Sequence, residues 1–338
     1  MLKCNCEIIV RAANSSRVIS FDFVNKIEIN SSYEDLTDTC SITIPRALQF
    51  EGKNLFVGND AIFKRGDRIE VKIGYEPNLE SVFNGFIRNI GSGLPTVLEC
   101  EDEMYRLKQF NVTFPKGGGK AQTTKLSGLL DAIIPTIPYK IIDDIDLGAF
   151  RVTRATPAMV LDKLKSEYGL FSYFRDGFLY IGFANNASDT LEAEFKMEEV
   201  IINSDTLEWQ EEDEVKVKVV AISMDFSNTK IQAEAGDADG DQKTIHKFKM
   251  TKGELQKVAE AYVKEYKYTG FKGEVETFGE PIMRHGDRAR ITSVKLPERD
   301  GTYLIKRVKR VYGVNEGNHQ IFTLGVKIAW VVKRYKIV

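Results

Sequence analysis

Four cysteines and three histidines are the residues of this 338-residue chain best suited to metal or nucleophile chemistry. Their spacing supports neither. Cys4 and Cys6 form a lone C-x-C, while Cys40 and Cys100 sit inside strand-like runs. A zinc site needs two close pairs, or one pair with clustered histidines. The thiols therefore read as small buried hydrophobes. His246, His285 and His319 are far apart in sequence. Lys116-Gly117-Gly118-Gly119-Lys120 suggests a phosphate loop, but that pattern requires glycine where Phe114 stands and Ser or Thr where Ala121 stands. Asp237, Asp239 and Asp241 alternate like calcium ligands, yet an EF-hand loop would place Gly at Gln242 and Glu at Phe248. A solvated hairpin loop between Lys230-Ile231 and Lys243-Thr244-Ile245 is the expected structure. Acidic pairs are too numerous for counting to exclude a glycosidase dyad, but no nucleophile elbow or paired metal ligands accompany them. We assign no catalytic, cofactor-binding or metal-binding residue and expect no cofactor.

One basic run remains, Lys306-Arg307-Val308-Lys309-Arg310, with Lys327, Lys333, Arg334 and Lys336 beyond it. It reads either as a strand with one wet face, packed through Ile305, Val308 and Val311, or as a contact for phosphate or an acidic partner. The whole chain balances 47 basic against 49 acidic side chains, a net charge of -2, which argues against wholesale coating of a nucleic acid. No segment approaches the roughly 20 apolar residues that span a bilayer, and the start lacks the apolar core of a signal peptide.

The elements that must position these residues are mostly strands. Arg17 to Phe23, Lys26 to Ile29, Thr39 to Ile44, Arg68 to Ile73 and Val82 to Ile90 are rich in Ile, Val, Phe and Thr, with turn residues between them. Ile69, Val71 and Ile73 alternate with Glu70 and Lys72, the period of a strand with one face on a core. Lys116 to Lys120 marks a flexible junction into a small α/β module. There Leu126, Leu129, Leu130 and Ile133 share a helical face. Thr156 and Pro157 start a second helix, with apolar stripe Val160, Leu161, Leu164 and Tyr168, and Gly169 stops it. Leu170 to Phe174 and Phe178 to Phe183 form a hairpin around Asp176-Gly177. β texture returns near 190, after which Thr251 and Glu254 form a capping box for a helix over 251–269, ended by Gly270. The expected fold class is mainly β with an α+β insert: a first β-barrel domain (1–115), a small α/β insert domain (116–190) and a second β-barrel domain (191–338).

The two β regions echo each other. Gly66-Asp67-Arg68 opens a strand, followed by Gly85 to Ile90 and Thr96 to Cys100. Gly286-Asp287-Arg288 opens another, followed by Tyr303 to Val308 and Ile321 to Leu324. Glycine and aspartate suit a tight turn, because one allows positive φ and the other bonds nearby backbone. A chain holding two similar barrels imitates two subunits, so a trimer presents six similar units.

With the motif Phe83-Asn84-Gly85-Phe86-Ile87, the following Cys100-Glu101-Asp102 and the later Tyr268-Thr269-Gly270-Phe271-Lys272-Gly273-Glu274-Val275, the chain resembles the late control D or baseplate hub family of phage tails. That family also supplies the N-terminal hub region of type VI secretion spike proteins. The resemblance spans about residues 15 to 330 and rests on turn motifs and element order. It implies a non-enzymatic structural protein forming a homotrimer, a pseudo-hexameric ring that adapts the six-fold tail tube to the three-fold central spike. Implied partners are the tail tube protein, the central spike protein and other baseplate proteins, with DNA or cargo crossing the lumen without specific binding. The implied location is the virion or injection-system baseplate, assembled in the bacterial cytoplasm. Because the chain stops at Val338, the spike is expected to be a separate polypeptide. Trp330-Val331-Val332 is read either as a spike or subunit dock or as a closing strand. The alternatives are a tail-associated peptidoglycan-degrading enzyme and a carbohydrate-binding β-sandwich receptor module.

Overall fold

A computed structural model describes residues 4–45, 49–50, 53–54, 62–93, 95–142, 144–182, 191–203, 206–224, 229–248 and 250–328. The first unit is built from β1 (Cys4–Arg11), β2 (Val18–Phe21), β3 (Lys26–Ser32), β4 (Thr39–Ile44), the short β5 (Gln49–Phe50) and β6 (Lys53–Asn54), β7 (Arg68–Tyr75), β8 (Asn78–Ile90) and β9 (Thr96–Glu101). Alternation in the sequence becomes alternation in burial: Ile69, Val71 and Ile73 point inward beside Ile8, Ile27, Ile42, Ile44 and Leu98. Gly85 lets β9 approach closely, since a Cβ there would collide with the carbonyl oxygen of Glu101.

The insert comprises α1 (Met104–Leu107), β10 (Val112–Phe114), β11 (Gln122–Lys125), α2 (Leu126–Ile133), β12 (Tyr139–Ile141), β13 (Asp146–Phe150), β14 (Val152–Ala155), α3 (Pro157–Tyr168), β15 (Phe171–Arg175) and β16 (Phe178–Gly182). Both expected helical stripes meet in one core. The Thr156 hydroxyl accepts a hydrogen bond from the Met159 amide, and Gly169 closes α3 at φ 68°. β15 and β16 pair around Asp176 and Gly177, both at positive φ.

The remainder contains β17 (Glu192–Lys196), β18 (Ile201–Asn203), β19 (Glu208–Gln210), β20 (Val217–Met224), β21 (Lys230–Gly236), β22 (Asp241–Phe248), α4 (Lys252–Tyr266), β23 (Gly270–Lys272), β24 (Glu274–Phe278), β25 (Arg288–Thr292), β26 (Gly301–Gly313) and β27 (Gly317–Lys327). Two cores lie here. One gathers Phe195, Val275, Ile291, Tyr303 and Phe322; the other packs α4 against β20, β21 and β22. The capping box of Thr251 and Glu254 forms, but α4 ends at Tyr266, with Lys267 extended (φ -84°, ψ 100°), and Gly270 opens β23 instead of closing the helix. The Asp237 loop also departs from expectation. β21 and β22 do not pair with each other but flank β20, one antiparallel and one parallel. The loop wraps the start of β20 because Asp237 N–H donates to Val217 C=O while the Val217 amide donates to the Asp237 carboxylate.

The strand orders of the two β units match. The first runs β3-β4-β9-β8-β7 with β1 outside; the second runs β18-β24-β27-β26-β25 with β17 outside. β3 pairs with β26 over seven residues, Arg307 opposite Ser32 to Gly313 opposite Lys26, fusing both into one 13-stranded sheet. Among the described residues no pairing closes either unit into a barrel, because β3 spends its outer edge on β26 rather than returning to β1.

Candidate functional site

The repeated Gly-Asp turns coincide atom for atom. Gly66 and Gly286 take φ 90° and 85°. Asp67 and Asp287 are both buried, 2% and 4% exposed. Gly66 N–H donates to Ile87 C=O and receives its mirror in Gly286 N–H to Ile305 C=O; Ile87 N–H donates to Asp67 C=O as Ile305 N–H does to Asp287 C=O. Each carboxylate accepts from the backbone three residues upstream, Lys64 and Arg284, both at 2.8 Å. Its second oxygen accepts from a distant edge segment, Ala13 at 3.0 Å or Leu191 at 3.1 Å. A bulge follows at matching places, between Ile87 and Asn89 and between Ile305 and Arg307. The edge strand's direction differs: β1 lies antiparallel to β7, β17 parallel to β25.

Where the units meet, the loop after β3 touches all three bodies. Tyr33 packs edge-on to Phe171 of the insert and beside His285 of the second unit. Glu34 and Asp35 pair with Lys306 and Arg307 at 2.8 Å each, while the Glu34 carbonyl accepts from Lys165 of α3. Leu36 packs against the insert core. Asp38 accepts from Ser31 Oγ at 2.6 Å and from the Ser32 amide at 3.2 Å.

Behind this loop lies a cleft of about 320 Å³ bordered by Asp38, Asp102, Arg175, Arg284, His285 and Arg310. Burial raises the carboxyls of Asp38 and Asp102 well above the usual range, and their mutual repulsion adds to it for Asp102; the Ser31 and Ser32 donors and Arg175 partly offset this at Asp38. Burial, helped by Arg175 and Arg284, lowers the His285 imidazole to about 3. Arg175 donates to the His285 carbonyl, and His285 stands edge-on to Tyr173 at 4.8 Å. Arg284 pairs with Asp176 in the hairpin turn at 3.1 Å. Arg310 is buried, donating to Gly279 C=O at 2.8 Å and to Gln320 Oε1 at 2.9 Å. The charged side chains that line the cleft are engaged in structural pairings that hold three bodies in register.

The residues singled out for chemistry scatter. The four cysteines are free, with Cys40 opposite Cys100 across β4 and β9, and burial pushes both thiols up. His246, His285 and His319 lie in separate contexts, facing Gly169, Tyr173 and Glu276 respectively. Among the described residues no group of three His, Cys, Asp or Glu could hold a metal ion, and no helix is long and apolar enough to cross a membrane. Asp237 and Asp239 pair with Lys267 and Lys216. The basic run is a strand whose Lys306, Arg307 and Lys309 pair with Glu34, Asp35 and Glu28 of the same chain. The wet-face reading holds for these three, whose acidic partners are intramolecular, while Arg310 departs from it by turning into the interior. Trp330-Val331-Val332, Lys333, Arg334 and Lys336 lie outside the described residues. Sequence reasoning missed the loop of Tyr33 to Asp38; its acidic pair could have been matched to the basic pair only by knowing that β3 meets β26.

No protein-family model matches the chain, and no curated protein matches its sequence. Solved structures do. A tail protein from Neisseria meningitidis MC58 superposes with a TM-score of 0.62 at 15% identity, over 96% of each chain. The 43 kDa tail protein of prophage MuSo2 from Shewanella oneidensis gives 0.60 at 15%, over 94% of this chain and 96% of that one. An Escherichia coli component of the type VI secretion system, described as similar to the T4 bacteriophage tail proteins gp27 and gp5, gives 0.55 at 10%, over 95% of this chain and 77% of that one. The chain therefore has the fold shared by these phage tail and type VI secretion proteins, a mainly β architecture with a small α/β insert.

Proposed function

We propose that this chain is a structural baseplate hub protein of a phage tail or phage-like contractile injection system. In this reading three copies form a ring of six similar units that adapts a six-fold tail tube to a three-fold spike. The observation that carries it is the atom-level repetition of the Gly-Asp turn, the bulge and the strand order in two halves of one chain. Two near-equivalent units per chain convert three-fold into approximate six-fold symmetry, which one unit per chain cannot do. The fold shared with tail proteins and a type VI component supports the same reading. The proposed division is a first β unit over 1–115, an insert over 116–190 and a second β unit over 191–338, with α1 and β10 of the first segment already packing into the insert core through Met104, Leu107 and Phe114. Its proposed partners are the tube and spike proteins and other baseplate components, and its proposed place is the tail baseplate. The work is geometric and needs no catalytic residue.

Solution mass tests this. Light scattering should give three times the 38.2 kDa chain mass. A monomer at every concentration, alone and with spike protein added, overturns the ring.

A further inference from the structure

The joint between the two units of one chain specifies the joint between two chains. Because Ile87 and Ile305 hold equivalent places, the bulged residues Arg88 and Lys306 correspond, as do Asn89 with Arg307 and Ile90 with Val308. In the second unit that stretch of β26 is covered by β3 of the first. In the first unit the matching stretch of β8 pairs, among the described residues, only with β9; its ladder with β7 stops at Phe86 opposite Arg68, and Arg88 and Asn89 are exposed.

The counterpart of β3 follows from the same alignment. Strand order equates β3-β4 with β18-β24, and β19-β23 continue that pair past Gly273. Asn30 opposite Thr39 matches Glu208 opposite Lys272, so Ser32 corresponds to Gln210. The next residues then correspond too: Tyr33 with Glu211, Glu34 with Glu212, Asp35 with Asp213. Among the described residues strand β19 pairs only with β23, leaving its outer edge without a strand partner there.

Charge settles what covers these edges. Within the chain, Glu34 and Asp35 pair with Lys306 and Arg307, and Tyr33 lies beside His285. The corresponding acidic turn, Glu211 to Glu214, is exposed at every position, and among the described residues no ion pair is recorded for it. Facing it by correspondence would be Arg88, in the place of Lys306, and Arg65, in the place of His285; both lie at the surface, and Arg88 is half exposed, held meanwhile by Glu99 and Glu101. Four exposed like charges on one turn repel each other, and opposite charges at a matching edge relieve that.

We propose that β19 and the acidic turn Glu211 to Glu214 of one copy dock on the outer edge of β8 of a second copy, with Gln210 opposite Asn89 and Glu212 and Glu211 against Arg88 and Arg65. This rests on the ring reading and gives it a contact. The interface is head-to-tail: the edge offered differs from the edge received, so each added copy exposes another β19 until the ring closes. The intrachain joint supplies the rotation.

Two measurements separate this joint from the ring itself. With Asn89→Cys and Gln210→Cys combined, oxidation should give a ladder up to three linked chains, while each single variant gives none. Glu211→Lys with Glu212→Lys, on an exposed turn, should drop the solution mass about three-fold at moderate salt, and adding Arg65→Glu with Arg88→Glu should restore it. A trimer that neither cross-links nor responds to these reversals overturns the joint and leaves the ring standing. A wild-type chain that stays monomeric overturns both.

Discussion

His285 is a buried imidazole whose protonation the fold opposes. Burial lowers its imidazole from 6.5 to about 3, with Arg175 and Arg284 adding to the effect. The folded state therefore binds fewer protons than the unfolded one in that range. Its contribution to stability is complete above pH 6.5 and falls by about 1.4 kcal/mol for each pH unit below it. Asp38 and Asp102 act in the opposite sense, because burial raises both carboxyls. Their protonated form favours the fold at low pH, and that contribution is lost as pH rises through their raised values. His285→Phe, which keeps a ring against Tyr173, should flatten the acid limb of a melting-temperature profile between pH 4 and 6.5. Asp102→Asn, whose amide oxygen can still accept from Met104, should raise the melting temperature at pH 7.5 and change little near pH 4. Parallel curves for wild type and both variants would refute these assignments.

At the scale of elements, the Gly-Asp turn matters because it fastens an edge segment as well as reversing the chain. Asp67→Ala strands two backbone donors, on Lys64 and Ala13, and Asp287→Ala strands two, on Arg284 and Leu191. Each substitution should cost about 2–4 kcal/mol in denaturant unfolding. The two costs should agree closely if the turns are mechanically equivalent; a negligible cost at either would contradict that. These turns were legible in the sequence, as were the strands with period two, the Thr156 and Thr251 caps and the Asp176-Gly177 hairpin, because each is written in neighbouring residues. What could not be read depends on contacts between distant ones. The β3–β26 pairing joins residues nearly the whole chain apart, so Glu34-Asp35 and Lys306-Arg307 looked like separate charge runs. The Asp237 loop resembled a hairpin because adjacency in sequence hides that β20 lies between β21 and β22. Gly270 looked like a helix stop, but the helix had ended at Tyr266, where Lys267 turns extended and Tyr268 packs on the core of the second β unit instead.

At the scale of the molecule, three bodies are clamped by one loop and two of them share one sheet. The segment Lys116 to Lys120 carries three glycines at positive φ, with open space around each. Cleavage there should release nothing. A protease nick between Gly117 and Gly119 should yield two fragments that migrate together in native gels and separate only in denaturant, since seven residue pairs of β3 and β26, Tyr33, and the Lys306 and Arg307 ion pairs still bind them. Separation under native conditions would show that the covalent connection holds the halves. The same ladder has a mechanical meaning. A pull that separates the two units along the direction of β3 loads its hydrogen bonds all at once, in shear, instead of peeling them one by one. Under such a load the seven paired residues of β3 and β26 carry tension across the joint together.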